Sequence, residues 1–197
     1  MKRQLSREQT RERLLDEGLS HFIRRGYHGT GIKEIVDSAG LPKGSFYTYF
    51  NSKETFGGAV LDAFADRGKE KFAKAFAQAS DPVDGFKRFF TLMRDALVDD
   101  DFQGGCLLGN LANELGSLAE SVTPHLAQGL NGMSQLFAGE LSKAQTQGLI
   151  RQDLPPETLG DLLLDGWEGT LIRAKANRSA LPMDKFISLF FDQLLHP

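Results

Sequence analysis

Between positions 43 and 53 the chain carries Lys43, Ser45, Tyr47, Thr48, Tyr49 and Lys53. Ammonium groups neutralise phosphate oxygens, and side-chain hydroxyls donate hydrogen bonds to them. Gly44, lacking a side chain, lets the backbone come close to a base edge or a thymine methyl. That combination has the chemistry of a DNA reader. A second kind of chemistry belongs to Cys106, the one cysteine, which follows Gly104 and Gly105. At the amino end of a helix, unpaired backbone N–H groups and the helix dipole stabilise a thiolate. A free cysteine also serves as a small buried apolar residue, and the sequence leaves both roles open.

Local spacing supplies the elements that must hold these groups. Ile32, Ile35, Val36 and Ala39 recur as one buried helical face, Thr30 stands where it can cap that helix, and Gly40 stops it. Pro42 then suits the first turn of a second helix, in which Phe46 and Phe50 lie four apart and face inward. Gly44, Tyr47 and Thr48 consequently point outward, with Lys43 and Tyr49 towards the edges. Two short helices joined by a tight turn form a helix-turn-helix. Leu14, Leu15, Leu19, Phe22 and Ile23 give the preceding stretch, 7–25, an apolar stripe that supports it. Asn51 or Ser52 caps a long helix running to about residue 78, with Glu54 placed for a capping box and Lys53 beside a natural phosphate seat. Gly57 and Gly58 inside this helix imply either local softness or a closely packed neighbour.

The stretches 31–35 and 43–54 (Gly31-Ile32-Lys33-Glu34-Ile35 and Lys43-Gly44-Ser45-Phe46-Tyr47-Thr48-Tyr49-Phe50-Asn51-Ser52-Lys53-Glu54) resemble the DNA-binding domain of the TetR family of bacterial repressors. The resemblance implies an all-α homodimer that binds a palindromic operator and leaves it when a small ligand binds. It places Thr30, Lys43, Gly44, Ser45, Tyr47, Tyr49 and Lys53 at DNA-contacting positions; the residue chemistry adds Thr48. Where the family often has histidine, Tyr49 reaches a phosphate without a proton-dependent charge. The expected organisation is a helix-turn-helix domain over residues 1–53 and a ligand-sensing, dimerising helical bundle over 54–197, about nine helices in all.

Charge follows the same division. Residues 1–53 hold ten lysines and arginines against six acids, a balance of +4, and the rest holds 13 against 20, a balance of −7. A basic head on an acidic body fits a polyanion contact confined to one end. No apolar run approaches the roughly 18–20 residues that span a bilayer, and residues 1–6 read as a basic arm (Lys2, Arg3) without a signal-peptide core. A cytoplasmic protein without membrane contact is expected.

In the body, helices are legible from Pro82 to Asp99, from Cys106 onward, from Thr123 to about Gly148, over 156–177 and from Pro182 to the end. The last two are apolar over too much of their circumference for one neighbour, which predicts a dimer interface built from both. Cys106, Asn110, Asn113 and Ser117 recur as a polar stripe that is either a solvent face or a pocket lining. Residues 104–115 resemble a TetR branch whose repressors respond to electrophiles and to acrylate-like acids. One of these has a functional cysteine in this helix and a lysine in the penultimate one, a role that would fall to Cys106 and Lys175. A non-covalent inducer would instead meet Phe89, Phe90, Met93 and Trp167, with Asn110, Asn113 and Glu114 as polar anchors. The alternative to a regulator is an all-α thiol-dependent enzyme with Cys106 as nucleophile. No histidine stands near it, and no acid–base pair, metal pair, phosphate loop or nucleophile elbow is legible. No cofactor or metal is expected, and Asp99-Asp100-Asp101 reads as a solvated turn.

Overall fold

The computed structural model of the chain describes residues 6–115 and 121–197, and at Lys43 the backbone alone. Lys2, Arg3 and Ser117 lie outside the described residues. Among the described residues eight α-helices follow in order: α1 (Arg7–Arg25), α2 (Ile32–Ser38), α3 (Lys53–Ala77), α4 (Pro82–Asp99), α5 (Leu107–Leu115), α6 (Thr123–Thr146), α7 (Pro156–Asn177) and α8 (Leu181–Leu189). A six-residue 3-10 segment, Lys43–Thr48, stands between α2 and α3, and a π-helical turn, Phe190–Leu194, follows α8. The fold is all-α, as expected.

Helix ends fall where side chains satisfy orphan backbone groups. The Ser6 hydroxyl accepts from the Gln9 amide while the Gln9 side chain accepts from the Ser6 amide, a capping box that starts α1. Ser52 accepts from the Thr55 amide at the start of α3, and Asp81 from the Val83 and Asp84 amides at α4. Thr30 does not cap α2. Gly31 occupies that position, its amide donating to Glu34 Oε2 at 2.8 Å, while the Thr30 hydroxyl turns back to the Gly26 carbonyl at 2.8 Å. The second helix of the expected pair is a tighter 3-10 segment, whose side chains nonetheless divide as its apolar spacing requires.

The chain forms two compact units, one extending to Ala65 and including Leu107–Gly129, the other made of Asp66–Cys106 and Leu130–Pro197. In the first, Phe56 is fully buried and central. Its ring centroid lies 5.9 Å from Phe22, 5.2 Å from Phe46 and 4.8 Å from Phe50, all edge-on. Edge-on rings place a positive rim against a negative face, which favours such pairs beyond their area burial. Gly18 on α1 makes room for it: a Cβ there would fall 2.3 Å from the Phe56 ring. Gly57 and Gly58 serve close packing too. A Cβ on Gly57 would meet the Tyr27 ring at 2.9 Å, and one on Gly58 the His125 ring at 2.7 Å. That imidazole is anchored by Nδ1 to Asp62 at 2.8 Å.

The second unit is built on aromatic rings. Phe72, Phe86, Phe89, Phe90, Phe137, Trp167, Phe190 and Phe191 form one buried cluster with leucines of α7. Two ion pairs, the exposed Lys87–Asp192, at about 0–1 kcal/mol, and Arg94–Asp184 with its arginine half-buried, run from α4 to the carboxy-terminal segment. Asp101 pairs with Arg178, and among the described residues no cluster of acids, histidines or cysteine could hold a metal.

Candidate nucleic-acid interface and thiol site

Burying Phe46 and Phe50 obliges the intervening side chains of the 3-10 segment to leave the core. Tyr47 is 62% exposed, Thr48 is exposed, and Ser45 and Tyr49 are half-exposed. A Cβ built on Gly44 would meet nothing within 4 Å, so its backbone is open to approach. The Arg7 guanidinium lies 6.0 Å from the Tyr49 ring centroid and Arg11 lies 5.7 Å from that of Phe50, so α1 adds positive charge along this segment.

Thr30 and Lys53, expected beside these residues, are held differently. Thr30 is 1% exposed, its hydroxyl given to Gly26. Lys53 donates from Nζ to the Tyr27 carbonyl at 2.6 Å and lies 4.2 Å from the Tyr27 ring centroid. Partial burial lowers the Lys53 ammonium from its ordinary value, against the pull of Glu114, Glu54 and Glu34. Burial also pushes the Tyr27 hydroxyl up to about 12, with help from the Glu54 charge. Both residues support the turn between α1 and α2.

Glu114 belongs to the same turn. Its carboxylate accepts from the Tyr27 amide at 2.9 Å and from the His28 amide at 2.6 Å. Asn113, on the same helix, is exposed and donates to the Gly109 carbonyl at 3.1 Å; Asn110 is half-buried.

In the second unit Cys106 is half-buried at the edge of the aromatic core, immediately before α5. Its thiol is hydrogen-bonded to Glu168. Burial raises the Glu168 carboxyl above its ordinary value and Asp165 adds to the rise, while the thiol and the Lys175 charge pull it back. Gly105, at φ +106°, brings the backbone beside Lys175: a Cβ there would stand 3.7 Å from Lys175 Cδ. Cys106, through a hydrogen bond, and Lys175, through its charge, thus both act on the Glu168 carboxyl. Sequence reasoning passed over Glu168, although Glu168 and Lys175 are seven apart on α7 and therefore share a helical face.

The aromatic candidates lie in the buried core of the second unit. Phe90 is fully buried, its ring centroid 4.7 Å from Trp167 and 5.3 Å from Phe89, and Met93 packs against the same cluster.

Comparison with known proteins bears on the family and the fold. Residues 14–60 match the family model described as bacterial regulatory proteins, tetR family, and residues 82–190 match the tetracyclin repressor-like C-terminal domain. The chain is 35% identical over 192 residues to the HTH-type transcriptional repressor DhaR of Mycobacterium sp. (strain GP1), covering 97% of this chain and 95% of that protein. A regulatory protein TetR from Rhodobacter sphaeroides superposes with a TM-score of 0.87 at 30% identity, covering 94% of this chain and 98% of that one. The reduced form of E. coli NemR gives 0.83 at 26%, covering 94% and 97%. These relatives are regulators rather than enzymes, and none of the helices described is long and apolar enough to cross a membrane. The chain belongs to the TetR family of DNA-binding transcriptional regulators.

Proposed function

We propose that the chain is a repressor that binds a palindromic operator as a homodimer and leaves it when Cys106 is modified by an electrophile. The reading rests on one observation above all: Gly44, Ser45, Tyr47 and Thr48 lie outward from a segment whose two phenylalanines are locked into the core. Tyr47 and Thr48 read or position, Tyr49 and Lys43 supply phosphate contacts, and Gly44 admits the DNA backbone or a base edge. Thr30 and Lys53 act by holding the turn that carries α2. The protein works in the cytoplasm, where operator DNA is.

Dimerisation is assigned to α7 and α8. Leu162 and Ile172 on α7 are 52% and 63% exposed, and Leu181, Leu189 and Leu194 follow them on the carboxy-terminal segment. Apolar side chains of this size gain about 25 cal/mol per Å² on leaving water. A two-fold interface sets two reading heads at the spacing of a palindrome.

For the signal, the thiol's hydrogen bond to a carboxylate beside Lys175 favours covalent chemistry. An α,β-unsaturated carbonyl accepts the Cys106 sulfur at its β-carbon, forming the S–C bond. The thiol proton passes to Glu168 and returns to the α-carbon, so protons and electrons balance. A non-covalent inducer among Phe89, Phe90, Met93 and Trp167, all part of the aromatic core, is the alternative.

Fluorescence anisotropy on a duplex selected from random sequence tests the whole reading. The selected duplex is expected to hold the chain against random competitor and to release it after N-ethylmaleimide. Cys106→Ser is expected to bind equally and to ignore the reagent. Release of the serine variant sinks the thiol role, and failure to prefer any sequence sinks the repressor.

A further inference from the structure

Side chains from α3, α5 and the turn itself bond to the backbone of the turn between α1 and α2. The Gly26 amide continues α1 by donating to the Phe22 carbonyl, and the Gly26 carbonyl accepts from the Thr30 hydroxyl. The Tyr27 carbonyl accepts from the Lys53 ammonium and, at 3.3 Å, from the Thr30 amide. Two further donors are the amides of Tyr27 and His28. Both go to Glu114, one to each carboxylate oxygen, across 87 and 86 positions of sequence.

Steric evidence agrees. Gly26 sits at φ +74°, and a Cβ on it would stand 2.5 Å from Glu114 Oε2. The left-handed conformation and the close carboxylate demand the same residue. Gly29 is equally constrained, since its Cβ would fall 2.3 Å from the Arg25 carbonyl oxygen. These close contacts and the carboxylate together restrict the conformation of the turn. Without the carboxylate, the part-buried Tyr27 amide and the exposed His28 amide lose a charged acceptor, and hydrogen bonds to charged groups are the stronger kind. The turn leads straight into α2, which is followed by the outward-facing 3-10 segment. Whatever fixes residues 26–30 fixes the direction in which the reading surface leaves α1.

We infer that Glu114 is a positioning residue for operator binding: it latches the α1–α2 turn from α5 and so sets the affinity of a surface it does not belong to. The inference rests on the operator-binding reading above. It also bears on regulation, because α5 begins one residue after Cys106, so the helix carrying the latch is peptide-bonded to the proposed sensor.

The test uses the full chain and a duplex that the wild type has selected from random sequence, titrated at fixed salt. Glu114→Gln retains one acceptor oxygen and sets an NH2 group against the second amide. It is expected to bind the selected duplex roughly 10- to 100-fold more weakly, with random-duplex affinity and far-UV circular dichroism unchanged. Amide exchange at Tyr27 and His28 is expected to accelerate, and Glu114→Asp, which keeps both oxygens one methylene short, to recover part of the loss. Equal affinity of the wild type and Glu114→Gln on the selected duplex overturns the latch. So does an equal loss on selected and random duplex. If Glu114→Gln loses its helical signal, Glu114→Asp decides: weaker selected-duplex binding by a folded chain supports the latch, and wild-type binding or unfolding overturns it. A wild type that selects no sequence overturns the operator reading itself, which is a distinct result.

Discussion

Replacing Phe56 by alanine removes the ring at the centre of the first unit's core. Phe56 is fully buried and meets Phe22, Phe46 and Phe50 at 4.8–5.9 Å, each pair edge-on. Truncating such a phenylalanine costs about 3–5 kcal/mol, combining lost transfer energy with the cavity left behind. Three aromatic contacts keep this site clear of the bottom of that range, so about 4 kcal/mol is expected. With a urea slope of about 2 kcal/mol per molar, the midpoint falls by about 2 M. The chain provides its own reporters. Its three tyrosines, at 27, 47 and 49, all lie in the first unit, and its one tryptophan, Trp167, lies in the second. Urea titrations of Phe56→Ala followed by tyrosine near-UV circular dichroism should show the fall in midpoint. Tyr47→Ala, by contrast, alters a side chain 62% exposed and should leave the tyrosine transition within about 0.5 kcal/mol of wild type while weakening operator binding. A Phe56→Ala midpoint within about 0.5 M of wild type would refute the assignment of Phe56 as the hub, because no well-packed ring of that size is lost so cheaply.

Three further outcomes are expected. Leu162→Asp with Ile172→Asp puts two charges on the proposed two-fold interface and should shift sedimentation velocity from dimer to monomer; an unchanged dimer moves the interface elsewhere. Gly58→Val drives a side chain into the His125 ring, which must abandon Asp62; overpacking of this kind costs about 1–3 kcal/mol, read on the tyrosine transition. Glu168 has its pKa raised by folding, so the folded chain holds that proton more strongly than the unfolded one. Its contribution to stability is complete below the unfolded value of 4.5 and falls as pH climbs through the folded one. The stability of the wild type relative to Glu168→Gln should therefore decline with rising pH above 4.5, and a relative stability that rises instead refutes the burial argument.

Helix boundaries were largely legible because capping residues and prolines mark them chemically: Ser52, Asp81, Pro82 and Pro156 stand where α3, α4 and α7 begin. The inward pair Phe46 and Phe50 was legible from its spacing of four, and with it the exposure of Tyr47 and Thr48. What spacing does not carry is the partner of a polar group. Thr30 can serve either neighbour from its position in sequence, and only the folded turn shows that it bonds backwards to Gly26. Glu114 reads from sequence as a polar anchor for an inducer; its attachment to amides 87 and 86 positions away has no local signal. The same holds for Phe56, whose period places it on an apolar face without revealing that three other rings converge on it.

The first unit draws on two distant lengths of chain, and this bears on how such regulators can be recombined. A reading head lifted out of this protein at residue 65 would leave behind Leu107, Leu111, Leu115 and Glu114, which belong to its own unit. Grafted onto a relative's body, it would meet a foreign α5 against Gly26 and Tyr27. Chimaeras meant to pair one protein's operator with another's inducer therefore need to carry residues 107–129 along with the amino-terminal segment, and the Cys106–Leu107 bond is the seam at which such a graft should be cut.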